Sequence, residues 1–415
     1  MEPSLDPREG AYVARQPILD PSGRVFGYEL LYRAAADALT CEDSRDLAAA
    51  RVLSDSMLTL GLDTLTGGRR AFVNVTRYML LNDLLMVMSP QSVVLEILEN
   101  VEADDETLAA CQRLRDRGYA LALDDFTSGT GADAFLPFAR YVKVDVLSTS
   151  DAERRRMKEI VPAGVKLIAE KVETAEVFEQ ARSMGYGLFQ GYYFCRPTTF
   201  VGGAMSARRL AYARLLAALN RTNVSVNTVE DLIKHDASLS YRVLRCINSA
   251  AFGIRREIRS IRQALVLLGL DQIRKWASVW ALAGLNGGAS AELVTVAILR
   301  ARSCELVASS FLTQEAAAEY FLMGLCSVLD AMLGQPMETA VADLPLGEDI
   351  RQALLGTPNA ARTVLDAVIA HERGAWDEAA RLAAGLSISP ERLPMAYGDA
   401  LKWARELTQA AATAA

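Results

Sequence analysis

A chain of 415 residues is long for one core, and 51% hydrophobic with 23% charged residues gives ample material for two domains. Its net charge of -7 excludes bulk binding to nucleic acid or anionic membrane and leaves room only for a local basic face. Two histidines, His235 and His371, exclude any mechanism built on a cluster of imidazoles.

The N-terminal residues carry no basic segment followed by an apolar core, so no signal peptide is expected. The six cysteines, at 41, 111, 195, 246, 304 and 326, form no C-x-x-C pair, which predicts reduced buried thiols in the cytoplasm. The stretch Trp276 to Ala291 is broken by glycine and too short for a membrane span, and reads as a buried helix.

From residue 11 to about 200, strand-like and helix-like segments alternate. Six apolar runs end on one polar side chain each, at Asn74, Glu96, Asp124, Lys143, Glu170 and Gln190, in steps of 22, 28, 19, 27 and 20 residues. That spacing is one βα unit, and polar groups at successive strand ends of a parallel barrel converge on one mouth. The predicted helices fit the same module. Asp104 caps a helix carrying Leu108, Cys111 and Leu114 and stopped by Gly118; Thr174 caps one carrying Val177, Phe178, Ala181 and Met184 and stopped by Gly185. Helix, glycine, strand, polar tip implies parallel strands with right-handed crossovers. About 190 residues is lean for eight units, so some helices are expected to be short or missing.

After Pro197 the pattern changes. Ser206 to Leu219 reads as a connecting helix, and helical periodicity dominates from there on: Thr228–Lys234, Leu239–Ile247, Ile261–Leu268, Gln272–Leu285 and Ala291–Ala308. Ser260-Ile-Arg-Gln is a capping-box start, and Gly269 closes its helix. The expected layout is an α/β barrel over residues 1–204, a connector over 205–219, and an all-α domain over 220–415.

In the first half, Gln16-Pro-Ile, Tyr28-Glu-Leu-Leu-Tyr-Arg, Phe72-Val-Asn-Val, Glu96-Ile-Leu-Glu, Asp124-Asp-Phe, Val142-Lys-Val-Asp, Ala169-Glu-Lys-Val-Glu-Thr and Gln190-Gly-Tyr fall in order. Together they resemble the EAL-domain family of cyclic-di-GMP phosphodiesterases, which have a TIM-like (β/α) barrel. The resemblance implies that Glu29, Asn74, Glu96, Asp124 and Asp125 hold two Mg²⁺ or Mn²⁺ ions. Oxygen-rich ligands suit such hard ions, and two-metal hydrolysis of a phosphodiester needs them within about 4 Å of each other. It further implies Lys143 and Glu170 as catalytic groups, Gln16, Arg33 and Gln190 as substrate contacts, and Glu99 and Glu173 as supports.

Three departures from that family stand out. Glu-Ala-Leu reads Glu29-Leu-Leu; the family's glycine after Ala-Glu is Lys171; and Phe-Gly-Thr-Gly-Tyr-Ser-Ser is replaced by Phe126-Thr-Ser-Gly-Thr-Gly-Ala. In the family, the last of these shapes the metal site and a dimer contact, with Glu99 as its brace. Two readings stay open: an active phosphodiesterase, or a catalytically silent adaptor or receptor.

In the second half, Asp236-Ala-Ser-Leu-Ser-Tyr-Arg-Val-Leu-Arg-Cys-Ile-Asn and Ile258-Arg-Ser-Ile-Arg-Gln-Ala-Leu-Val-Leu-Leu-Gly resemble the HDOD family, similar in fold to HD phosphohydrolases but lacking their metal ligands. His235-Asp236 spells the HD dyad at the wrong place, since the enzymes' dyad would fall near Ser327 and Val328. A cap or surface role is expected instead. Arg255, Arg256, Arg259 and Arg262 read first as a solvated, ion-paired face, with Glu257 and Asp271 as partners. The resemblance implies a non-enzymatic module that binds signalling partners, with a homodimer through either half.

Overall fold

The computed structural model describes residues 11–34, 61–191 apart from 83, 216, 218–219, 224–234, 258, 260–285, and 291–412 apart from 343, 345 and 390. The chain divides into two units, Met1–Phe194 with His371–Trp376, and Cys195–Ala370 with Asp377–Ala415.

The first unit is built on a closed barrel of eight strands in sequence order. They are β1 (Ala11–Leu19), β2 (Val25–Ala34), β3 (Arg70–Val75), β4 (Val93–Ile97), β5 (Ala120–Leu123), β6 (Ala139–Asp145), β7 (Lys166–Glu170) and β8 (Leu188–Phe189). From β2 to β8 every pairing is parallel, as the repeated module implies. β1 departs from that expectation and runs antiparallel to both β2 and β8. The cause is local: residues 20–24 make a tight turn, too short for a crossover. Asp20 holds it, its carboxylate accepting the amides of Ser22 at 2.8 Å and Arg24 at 3.0 Å.

Among the described residues the barrel helices are α1 (Leu62–Thr66), α2 (Arg77–Leu81), α3 (Asp105–Asp116), α4 (Asp151–Ile160) and α5 (Ala175–Ser183). Two are single turns, in line with the short chain. The expected caps form: Asp104 and Thr107 make a reciprocal capping box, and Thr174 accepts the Val177 amide. The buried face of α3 is Thr107, Ala110, Cys111 and Leu114, with Leu108 half-buried at its edge. On α5 the buried pair is Phe178 and Ala181, with Val177 and Met184 half-buried.

Inside the barrel the strands contribute residues at a spacing of two, because side chains alternate across a strand. Ile18, Phe72, Val94, Ala122, Tyr141, Ile168 and Leu188 form an apolar floor, in which the Phe72 and Tyr141 rings meet edge-on at 5.4 Å. Gly27 completes it on β2. A Cβ there would stand 2.7 Å from the Arg70 carbonyl and 3.1 Å from the Phe72 ring, so only glycine leaves room for that ring. Two residues along each strand from this floor lie Gln16, Glu29, Asn74, Glu96, Asp124, Lys143, Glu170 and Gln190. The polar mouth rests on a packed apolar plug.

The second unit is helical where described: α6 (Val226–Lys234), α7 (Ile261–Leu268), α8 (Leu270–Leu285), α9 (Ala291–Ala308), α10 (Gln314–Cys326), and further helices up to Arg392–Ala412. Ser260 caps α7 through the Gln263 amide and Gly269 ends it. The expected helix Leu239–Ile247 and most of the connector 206–219 lie outside the described residues. Among the described residues no helix is long and apolar enough to cross a membrane. Cys111, Cys304 and Cys326 are buried thiols outside any disulfide.

Candidate metal centre at the barrel mouth

Lys143 organises the mouth. Its side chain is 1% exposed, and its ammonium lies 3.2 Å from Glu29 Oε2, 3.0 Å from Asp124 Oδ1 and 2.7 Å from Glu170 Oε1, and bonds Glu96 Oε1 as well. Burial works against the ammonium, but Glu29, Glu96, Glu170 and Asp124 together hold its pKa well above the ordinary lysine range. Four carboxylates share one fixed positive charge. Burial accordingly pushes Glu96 well above the usual carboxylate range against the pull of Lys143, and lifts Glu170 to about 8.

The ring closes through amides. Gln190 Nε2 donates to Glu29 Oε2 at 2.6 Å and to Gln16 Oε1 at 2.9 Å, while Gln16 Nε2 donates to the Arg373 carbonyl at 3.0 Å. Asn74 Nδ2 stands 3.5 Å from Glu29 Oε1, and the Tyr32 hydroxyl bonds the Asn74 backbone carbonyl. Gly191, next to Gln190, has a φ of 151° and lies so close to β7's exit that a Cβ would meet Val172 N and O at 2.3 Å. The Gln190 carbonyl in turn accepts the Val172 amide at 3.0 Å, which fixes the last rung of the ring.

Two groups of acids bring one oxygen each within 4.8 Å of one another: Glu29, Glu96 and Glu170, then Asp124, Asp125 and Glu170. They share Glu170. Asn74 Oδ1 and Glu96 Oε2 are buried without a hydrogen-bond partner. Converging buried carboxylates and unpartnered hard oxygens, with no sulfur or imidazole donor among the described residues of the ring, fit a hard divalent cation. The donor set therefore passes the chemical test for a divalent cation.

In the second group, Asp125 is largely exposed with a left-handed φ of 38°, and its carboxyl is raised by partial burial and by Asp124 against the pull of Lys171. Lys171 does not pair with Glu170. It reaches Asp145 Oδ2 at 2.5 Å and lies 3.9 Å from Asp125 Oδ2. The loop after Asp125 is mostly exposed and braced on itself: the Gly129 amide donates to Asp133 Oδ2 at 2.7 Å and the Thr130 hydroxyl to the Thr127 carbonyl at 2.8 Å. Glu99, expected as that loop's brace, is exposed beyond β4 and makes neither of these bonds; Asp133 accepts the first. Glu173 is exposed and makes no hydrogen bond to the ring among the described residues. Arg33 is the penultimate residue of β2, and its side chain lies outside the described residues. Sequence reasoning passed over Tyr32 and Asp145. The second was within reach, since two residues beyond Lys143 on one strand means the same face.

In the helical unit, Arg262 bonds Asn227 Oδ1 at 2.7 Å and Glu230 at 2.5 Å, and Lys275 pairs with Glu305. These partners differ from the Glu257 and Asp271 expected from the sequence. Arg255, Arg256, Arg259, Glu257, His235 and Asp236 lie outside the described residues.

Comparison with known proteins now decides the family. Residues 40–197 match the EAL domain and residues 210–330 the HDOD domain. The Bacillus subtilis protein YuxH is 33% identical over 408 residues, covering 96% of this chain and 99% of its own length. The chain belongs to the family of EAL-domain proteins that carry an HDOD domain. A second relative, Vibrio cholerae CdgJ, named a cyclic di-GMP phosphodiesterase, is 31% identical over 412 residues, covering 98% of this chain and 95% of its own. Among solved structures, Klebsiella pneumoniae BlrP1 in complex with calcium and cyclic di-GMP aligns at a TM-score of 0.38 and 23% identity, covering 46% of this chain and 57% of that one.

Proposed function

We propose that the barrel binds cyclic-di-GMP and hydrolyses one of its phosphodiester bonds to give the linear dinucleotide. Water adds to phosphorus, one P–O ester bond breaks, and the products are a hydroxyl and a phosphomonoester. The observation that carries this reading is the ring itself: four carboxylates around one buried ammonium, with Asn74 Oδ1 and Glu96 Oε2 left unpartnered.

Glu29, Asn74, Glu96, Asp124, Asp125 and Glu170 would hold Mg²⁺ or Mn²⁺, which when bound supplies charge neutralisation at the phosphate and a more acidic water. Lys143 keeps four carboxylates converged on one point, so little reorganisation is needed on loading. Glu170, facing the same point, would act as a base toward the attacking water or as a further ligand. Gln16, Arg33 and Gln190 would meet the nucleotide, the arginine through its planar fork on phosphate oxygens.

The second reading is a silent receptor or adaptor, favoured by the Lys171 ammonium 3.9 Å from Asp125 Oδ2, where the family has glycine. Incubation of the protein with cyclic-di-GMP and Mn²⁺, with Glu29→Ala as control, separates the two. Linear product lost in Glu29→Ala supports the enzyme. Binding without product leaves a receptor, and neither binding nor product leaves a protein-binding adaptor. In all three cases the HDOD module, from about residue 220 and joined to the barrel of residues 1–204 by 205–219, is the output that engages signalling proteins, with homodimerisation through either half. The buried, reduced thiols support a reducing, cytoplasmic setting.

A further inference from the structure

Two lysines stand among the carboxylates, and they differ in kind. Lys143 sits inside the inner group. Lys171 belongs to the outer group, where Asp124, Asp125 and Glu170 converge. It follows Glu170 directly and adopts a φ of 55°, a left-handed conformation that costs a side-chain-bearing residue energy and persists only where the surroundings hold it. What holds it is Asp145. That carboxylate is pinned by the amides of Leu147 at 2.8 Å and Ser148 at 3.2 Å, and takes the Lys171 ammonium on its other oxygen at 2.5 Å. The lysine side chain is half exposed, yet its charge is fixed within 3.9 Å of Asp125 Oδ2.

We propose that Lys171 is a built-in cation of the outer carboxylate group, so that the mouth takes one divalent ion tightly, at the inner group, and a second far more weakly. The inference rests on the reading of the ring as a divalent-cation centre. A second ion needs Asp125, and a fixed ammonium a few ångströms away both neutralises that carboxylate and repels the incoming charge. Partly screened by water, that repulsion is worth roughly ten- to a hundredfold in affinity. The charge of Lys143 is shared among Glu29, Glu96, Glu170 and Asp124, whereas Lys171 stands against Asp125 alone among the outer acids.

The test is Mn²⁺ titration of the full chain, with free Mn²⁺ read by electron paramagnetic resonance, for wild type, Lys171→Met and Lys171→Gly. Methionine keeps the length and the backbone conformation without the charge; glycine removes charge and strain together. The expected result is one tight ion in the wild type and, in both variants, a second ion bound at least about tenfold more tightly than before. Two equally tight ions in the wild type overturn the proposal. So does a gain confined to Lys171→Gly, which would assign the effect to backbone relaxation. No Mn²⁺ bound by any of the three overturns the metal reading itself, and this inference with it.

Discussion

Lys143 and Glu170 occupy neighbouring strands, and the ammonium of one lies 2.7 Å from the carboxylate of the other in a space almost closed to water. Three further carboxylates share that ammonium, so removing it leaves a buried cluster of like charges. Breaking a buried ion pair from one side costs about 3–5 kcal/mol. Lys143→Met is expected to lower the unfolding midpoint strongly in EDTA, and Mn²⁺ is expected to restore more stability to the variant than it adds to the wild type. Equal stabilisation of both by Mn²⁺ in thermal unfolding would show that the ammonium and the metal do not share the carboxylates.

Six rungs of the ring were legible because each closes an apolar run at a parallel strand's end. Gln16 and Glu29 were not legible that way. Gln16 lies on the antiparallel β1, and Glu29 lies in the middle of the ten-residue β2, so neither falls at the end of a βα unit. Only the similarity of the surrounding blocks pointed to them. The pairing of Lys171 with Asp145 depends on a left-handed backbone and on a carboxylate oriented by a turn, and no periodicity encodes either. The apolar floor, by contrast, follows from the rungs by counting back two residues on β2 to β8.

Gly191 tests how tightly the ring is tied to its scaffold. Alanine there would drive a Cβ into the Val172 backbone, which cannot move without shifting the turn after Glu170. Gly191→Ala is expected to cost about 2 kcal/mol or more in urea unfolding and to weaken Mn²⁺ binding by displacing Gln190 from Glu29. Gly187→Ala, four residues earlier with nothing within 4 Å of the added carbon, is the control and should bind Mn²⁺ as the wild type does.

His371 supplies a pH dependence separate from the carboxylates. Its ring is buried, meets the Trp376 ring at 5.0 Å, and places Nε2 3.2 Å from the Val13 carbonyl. Burial pulls its pKa down to about 4, and the bond to Val13 opposes this without overcoming it. The folded state therefore binds the proton less readily than the unfolded chain, whose histidine titrates near 6.5. Between those values the unfolded state carries more protons, so stability rises with pH across the window and is fully present above it. On acidification from pH 7.5 to 4.5 this group alone removes roughly 2–3 kcal/mol, from the two pKa values and 1.36 kcal/mol per unit. His371→Gln keeps an amide able to donate to Val13 and removes the titration. Its urea unfolding should therefore lose that much less than the wild type's between the two pH values, while carboxylate effects common to both proteins cancel. Parallel pH profiles for the two proteins would mean that the imidazole titrates alike in the folded and unfolded states.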